Sequence, residues 1–123
     1  MYNEIITENF MNPRNIGELE HPSRVIKIGN AVCGDTIILH IAYNNNQEIT
    51  DVRYKAYGCA TSIATVSVFS EFIQNKCISD LSAVSETEIE ALLGELEPNQ
   101  MHCLDIMKEL FKQLGIPEGT NAC

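Results

Sequence analysis

The stretch Ala56-Tyr57-Gly58-Cys59-Ala60-Thr61 decides the fold, because an alternating strand pattern stops there at a glycine and a helical pattern begins. The junction places a cysteine at a helix N-terminus. Free backbone N–H groups and the positive end of the helix dipole favour the thiolate at such a position, the form that attacks persulfides or binds metal. Cys59 therefore reads as a ligand or nucleophile, against the plainer reading of a small core cysteine in a tight turn.

Upstream of the junction, Ile49 to Tyr57 puts Val52, Tyr54 and Ala56 on one face of a strand and Asp51, Arg53 and Lys55 on the other. Asn44-Asn45-Asn46-Gln47 signals a hairpin turn, since asparagine tolerates left-handed geometry. Before it, Thr36 to Tyr43 alternates Ile37, Leu39 and Ile41 against Ile38 and His40, and Arg24 to Ile28 forms a first strand. Tyr2, Ile5, Ile6 and Phe10 recur at helical spacing, predicting an amphipathic first helix that ends before Asn12-Pro13, with a turn or loop through Gly17. Downstream, Ile63, Val66, Phe69, Phe72 and Ile73 form a wide apolar stripe reaching to Lys76. Ser85-Glu86-Thr87-Glu88 has the form of a capping box leading into Ile89, Leu92, Leu93 and Leu96. A last helix begins near Met101, carries Cys103, Ile106, Met107, Leu110, Phe111 and Leu114 on one stripe, and stops at Gly115 and Pro117. Strands followed by helices predict an α+β fold: a small three-stranded antiparallel sheet packed against α-helices.

With 123 residues the chain fits a single domain, core about residues 2–114 and tail 115–123, large enough to bury a core without disulfides. The 17 acidic against 8 basic residues give a net charge of -9, which argues against a phosphate-binding surface for nucleic acid or for an anionic membrane, so no nucleic acid and no membrane are expected as partners. The first residues lack the basic start and apolar core of a signal peptide, so a cytoplasmic protein is expected. The 5 cysteines are an odd count that fits reduced thiols or metal ligands better than a disulfide framework.

Cys33 falls in the turn between the first two strands, Cys59 at the strand-to-helix junction and Cys103 at the start of the last helix. If the sheet packs on the helices, these element ends converge and bring Asp35 and His102 beside them. Cys103 shares its stripe with Ile106 and Leu110, so it faces the core side at the rim. Thiolates with an imidazole and a carboxylate suit iron or zinc, and the lack of any CxxC pair disfavours a permanent ferredoxin-type or zinc-ribbon site. Individually, Asp35 also reads as a hydrogen-bond partner of its own turn and His102 as an exposed helix-start residue. Cys77, Cys123, His21 and His40 have no partners at ligand spacing.

Taken together, Asn12-Pro13-Arg14-Asn15-Ile16-Gly17, Cys33-Gly34-Asp35, Tyr57-Gly58-Cys59 and His102-Cys103 resemble the iron-sulfur cluster assembly scaffold family of IscU and the N-terminal domain of NifU. The resemblance runs from the first helix to about Leu114 and implies a SufE/NifU-like α+β fold. It implies a scaffold, not an enzyme, that receives iron and persulfide sulfur from a cysteine desulfurase, builds a transient 2Fe-2S cluster and hands it to recipient apo-proteins. By the same resemblance Cys33, Asp35, Cys59, His102 and Cys103 are the cluster and metal ligands, Cys103 is the persulfide acceptor, and a homodimer around the cluster is compatible. Leu96-Glu97-Pro98-Asn99-Gln100-Met101 departs from the Leu-Pro-Pro-Val-Lys common in such scaffolds, which argues against recognition by a dedicated Hsp70-type chaperone. Ala60 stands where a glycine is common. The same ligand set also permits a second reading: a zinc-bound sulfur acceptor that stimulates a desulfurase, as in SufU.

Overall fold

The alternation in the sequence folds as a meander. In the computed structural model, which describes residues 2–30 and 35–115, β1 (Arg24–Asn30), β2 (Asp35–Tyr43) and β3 (Ile49–Tyr57) pair antiparallel in the order β1-β2-β3. Ile26, Leu39 and Tyr54 lie in register across the sheet, as do Ile28, Ile37 and Ala56, so one face is a continuous apolar layer. Strict alternation would put Ile49 with Asp51 on the wetter face. A register shift between Ala42 and Tyr43 turns Ile49 inward instead, where it is fully buried. The hairpin turn forms as expected, but Gln47, not an asparagine, adopts the left-handed backbone. Asn44 contributes by accepting the N–H groups of Asn46 and Glu48 on its side-chain oxygen.

Among the described residues five helices complete the fold: α1 (Glu4–Met11), α2 (Ala60–Ile73), α3 (Ile78–Ser82), α4 (Glu86–Leu93) and α5 (Met101–Gly115), the last entered through a 3-10 turn at Pro98–Gln100. The central helix is α2, packed against β3, α1 and α5. It is not the simple apolar stripe its sequence suggests, because Thr61, Ser62, Thr65, Ser67 and Ser70 are buried with its hydrophobic residues. Each hydroxyl has a partner: Thr65 donates to the Thr61 carbonyl, Ser67 to Asn9 Oδ1 and Ser70 to the Ser67 carbonyl. Short polar side chains let neighbouring elements approach closely without leaving unsatisfied groups.

In α1 the expected burial is also revised. Ile6 and Asn9 face inward, while Tyr2, Ile5 and Phe10 remain exposed. Asn9 is drawn inside by its bond from Ser67, which the apolar spacing does not encode. Asn3 caps the helix by accepting the Ile6 N–H at 2.8 Å and ties it to the end of α4 by donating to the carbonyls of Leu93 and Glu95.

The loop after α1 is more than a connector. Arg14 N–H donates to Ser67 Oγ on α2, Asn15 Nδ2 donates to Ser70 Oγ, and the Asn15 carbonyl and Gly17 N–H bond the Tyr54 backbone on β3. Asn15 has a φ of 62°, which asparagine tolerates better than most residues. The loop thus clasps β3 to α2, the two elements that meet at Gly58-Cys59.

The capping box at Ser85 forms only by half among the described contacts. Ser85 Oγ accepts the Glu88 N–H, but its hydroxyl donates to the Glu88 carboxylate. A reciprocal box forms instead at Glu97 and Gln100, immediately before α5. Helix α5 buries the expected stripe against β1, α2, α3 and α4. Phe111 meets Phe69 edge-to-face at 5.0 Å. The Arg24 guanidinium from β1 bonds the Gln113 and Leu114 carbonyls at the end of α5, satisfying acceptors that the helix itself leaves open. The helix includes Gly115, and Pro117 lies outside the described residues. Short α3, with Cys77 at its N-cap, has no counterpart in the sequence reading. Among the described residues, no helix is long and apolar enough to cross a membrane.

Candidate metal centre

The junction that organises the sequence also builds the site. After β3 ends at Tyr57, Gly58 has a φ of 148° and Cys59 takes the N-cap position of α2. Asp35 opens β2 beside this turn. A Cβ on Gly58 would fall 2.0 Å from Asp35 Oδ1 and 2.7 Å from its Cγ, so glycine alone allows the carboxylate to sit there. The Cys59 side chain caps nothing. Asp35 performs that work from across the turn: its Oδ1 accepts the Cys59 N–H at 3.2 Å and its Oδ2 accepts the Ser62 hydroxyl.

The Cys59 sulfur lies 3.1 Å from Thr61 Oγ1, 3.2 Å from Ser62 Oγ, 3.4 Å from His102 Nε2 and 3.9 Å from Asp35 Oδ2. Thr61 Oγ1 is also 3.1 Å from His102 Nε2, so one hydroxyl links α2 to the start of α5. Ligand atoms of Asp35, Cys59 and His102 lie within 4.8 Å of one another, close enough to meet on one ion. Asp35 is buried, His102 half-buried and Cys59 exposed, so the group opens to solvent on the thiol side.

The electrostatics separate the two described free thiols, Cys59 and Cys103. At Cys59 burial pushes the pKa up, but hydrogen bonds from Ser62, Thr61 and His102 outweigh it and lower the pKa from 9.0 to about 7. A substantial thiolate fraction is present at neutral pH. Cys103 is fully buried, not at the rim as expected, with the Thr61 and Thr65 hydroxyls of α2 against its thiol. Burial raises its pKa despite hydrogen bonds to Thr61 and Thr65, and the nearby Cys59 charge raises it further. Thr61 therefore stands between Cys103 and the group formed by Cys59 and His102.

Of the five residues nominated from sequence, the structure brings Asp35, Cys59 and His102 together, with Cys103 behind Thr61. Cys33 lies outside the described residues, as does Cys123. Cys77 sits at the N-cap of α3. His40 accepts the Leu19 N–H on Nδ1, a packing role, and His21 is exposed. The residues that sequence reasoning missed are Thr61 and Ser62. The available signal was their position, two and three residues after an N-terminal cysteine, where first-turn hydroxyls can reach back to it.

A family model described as the NifU-like N-terminal domain matches residues 1–116. Among characterised relatives, the iron-sulfur cluster assembly scaffold protein IscU of Aquifex aeolicus is 38% identical over 106 residues, covering 85% of this chain and 68% of that protein. IscU of Escherichia coli K12 is 32% identical over 114 residues, covering 90% and 88%. Among solved structures, a nitrogen-fixing NifU-like N-terminal protein from Brucella abortus superposes with a TM-score of 0.63 at 19% identity, covering 92% of this chain and 79% of that one. A candidate SUF-system iron-sulfur cluster assembly scaffold protein from Fervidobacterium islandicum gives 0.63 at 23% identity, covering 93% and 88%. At those identities the structural matches establish the fold, which is the α+β arrangement expected from the sequence.

Proposed function

Because this chain belongs to the NifU-like N-terminal domain family, we propose that it is a scaffold on which iron and persulfide sulfur are assembled into a transient 2Fe-2S cluster for transfer to apo-proteins. The relatives named as iron-sulfur cluster assembly scaffolds support this reading. The observation that carries it is the convergence of Asp35, Cys59 and His102 from three separate segments. One thiolate, one imidazole and one carboxylate suit iron, and the carboxylate is a harder partner than sulfur, which favours cargo that leaves. Cys33 and Cys103 complete the proposed ligand set, with His102 as the alternative to Asp35 at the fourth position.

Sulfur arrives from a cysteine desulfurase. An acceptor thiolate attacks the outer sulfur of the desulfurase persulfide, the enzyme's S–S bond breaks, and its cysteine leaves as thiolate. Each sulfur so delivered needs two electrons from an external donor to become cluster sulfide. Cys103 is the proposed acceptor, and its burial sets a condition on that role: the first turn of α5 has to move off Thr61 and Thr65 before the thiol is reachable. In the closed arrangement Cys59 is the exposed, readily ionised thiol.

Anaerobic addition of ferrous iron and sulfide should produce the visible absorption of a labile 2Fe-2S centre, diminished in alanine variants of Cys33, Cys59 and Cys103. Unchanged absorption in all three variants would remove the site from the proposal. A second reading, a zinc-bound sulfur acceptor that stimulates a desulfurase, is favoured by the ability of the three grouped donors to bind a single tetrahedral ion. Stoichiometric zinc that resists iron and sulfide, with strong stimulation of a desulfurase, would select it.

A further inference from the structure

Ser62 holds a place in this site that no ligand role explains. Its hydroxyl is buried, donates to Asp35 Oδ2, and lies 3.2 Å from the Cys59 sulfur. One hydroxyl proton thus faces two ligand atoms that would each carry negative charge. Asp35 is fixed independently of it, because Oδ1 takes the Cys59 N–H and the carboxylate is seated against the bare Cα of Gly58. Removing the Ser62 hydroxyl would therefore leave the carboxylate in place while freeing electron density on Oδ2. A charge-assisted donor competes with an ion for the lone pairs of the oxygen it bonds, so a carboxylate that must give up such a bond is a weaker metal ligand than one that need not.

We propose that Ser62 is a positioning residue that keeps Asp35 a weak ligand, so that metal cargo held by Asp35, Cys59 and His102 is released readily. The proposal rests on the scaffold reading only in taking these three residues to be ligands. Thr61 differs, because its contacts run to Cys59 and His102 and not to Asp35.

The test is titration of the metal-free full chain with Co2+, following the sulfur-to-cobalt charge-transfer band and the dissociation rate on addition of chelator. Ser62→Ala should bind Co2+ on the order of tenfold more tightly than wild type and release it correspondingly more slowly, the factor carried by one hydrogen bond to a charged group that the ion no longer has to displace. Ser62→Thr, which keeps the hydroxyl, should behave as wild type. In an Asp35→Asn background Ser62→Ala should bring no gain in affinity, which separates action through Asp35 from general loosening. Should Ser62→Ala not fold, Ser62→Thr and Ser62→Cys carry the comparison, the thiol donor being weaker and the binding intermediate. Equal or weaker binding by a folded Ser62→Ala protein, or the same gain in the Asp35→Asn background, overturns the role of Ser62 and leaves the scaffold reading standing. A wild-type protein that gives no charge-transfer band overturns the ligand assignment itself.

Discussion

Among the described glycines, Gly58 is the one whose replacement by alanine should disturb the site most. The added Cβ would stand 2.0 Å from Asp35 Oδ1, 2.7 Å from its Cγ and 3.1 Å from its Cα, and the backbone φ of 148° is one that side-chain-bearing residues rarely adopt. Strain in such a backbone region costs about 1–3 kcal/mol. Displacing the carboxylate also loses a hydrogen bond to a charged group, about 1.5–3 kcal/mol. The sum centres on about 4 kcal/mol, within the 5–15 kcal/mol stability of ordinary domains, so the variant should fold. For a chain of this size that corresponds to a fall in Tm of roughly 16 °C, read by far-ultraviolet circular dichroism. Asp35→Ala removes the two shortest contacts, so in that background Gly58→Ala should cost only the backbone share, about 1–3 kcal/mol. An equal loss in both backgrounds, or a Tm within about 2 °C of wild type in the single variant, would refute the claim that Gly58 exists to seat Asp35.

The remaining expectations concern thiol chemistry and packing. The rate of Cys59 alkylation by iodoacetamide should rise with pH and reach half-maximum near pH 7, since loss of the thiol proton creates the nucleophile and its pKa is about 7; a midpoint at the ordinary thiol value would show that the hydroxyl and imidazole contacts do not act. Cys103, buried with a raised pKa, should remain unmodified in the native protein and react once denaturant is added, as mass spectrometry of the alkylated chain would report. Asn3→Ala removes both a helix cap and the tie to the end of α4, and should lower stability in urea by about 1–2 kcal/mol. Phe111→Ala opens a void between α2 and α5 where the ring meets Phe69 and Phe72 edge-on, with an expected loss of about 3–5 kcal/mol by the same assay.

The parts of this structure that were legible in the sequence are those where local pattern and tertiary environment agree. β3 runs from Ile49 to Tyr57 as its alternation predicts, and the break at Gly58 gives both the start of α2 and the exposed cysteine. Asp35, Cys59 and His102 could be nominated because their side chains carry recognisable ligand chemistry. Thr61 and Ser62 could not, since hydroxyls in a buried helix carry neither charge nor period, and their importance comes from what β2 and α5 bring to them. Burial in α1 failed for a related reason: Asn9 turns inward to meet Ser67, a contact 58 residues away. The stripe that carries Cys103 predicts a rim position because it cannot report that Thr61 and Thr65 of α2 lie against the thiol. Hydrophobic spacing indicates which face is apolar, and only the neighbours decide how deeply its end is covered.

A scaffold of the kind proposed assembles its cluster in order to give it away. The decisive experiment reconstitutes the chain anaerobically with ferrous iron and sulfide, adds an apo-ferredoxin, and follows visible circular dichroism as the cluster changes host. The account predicts a 2Fe-2S signal on this protein that decays as the ferredoxin signal grows, with both signals lost in Cys59→Ala. A chain that forms no cluster, or one whose cluster stays in place beside a competent acceptor, would contradict it.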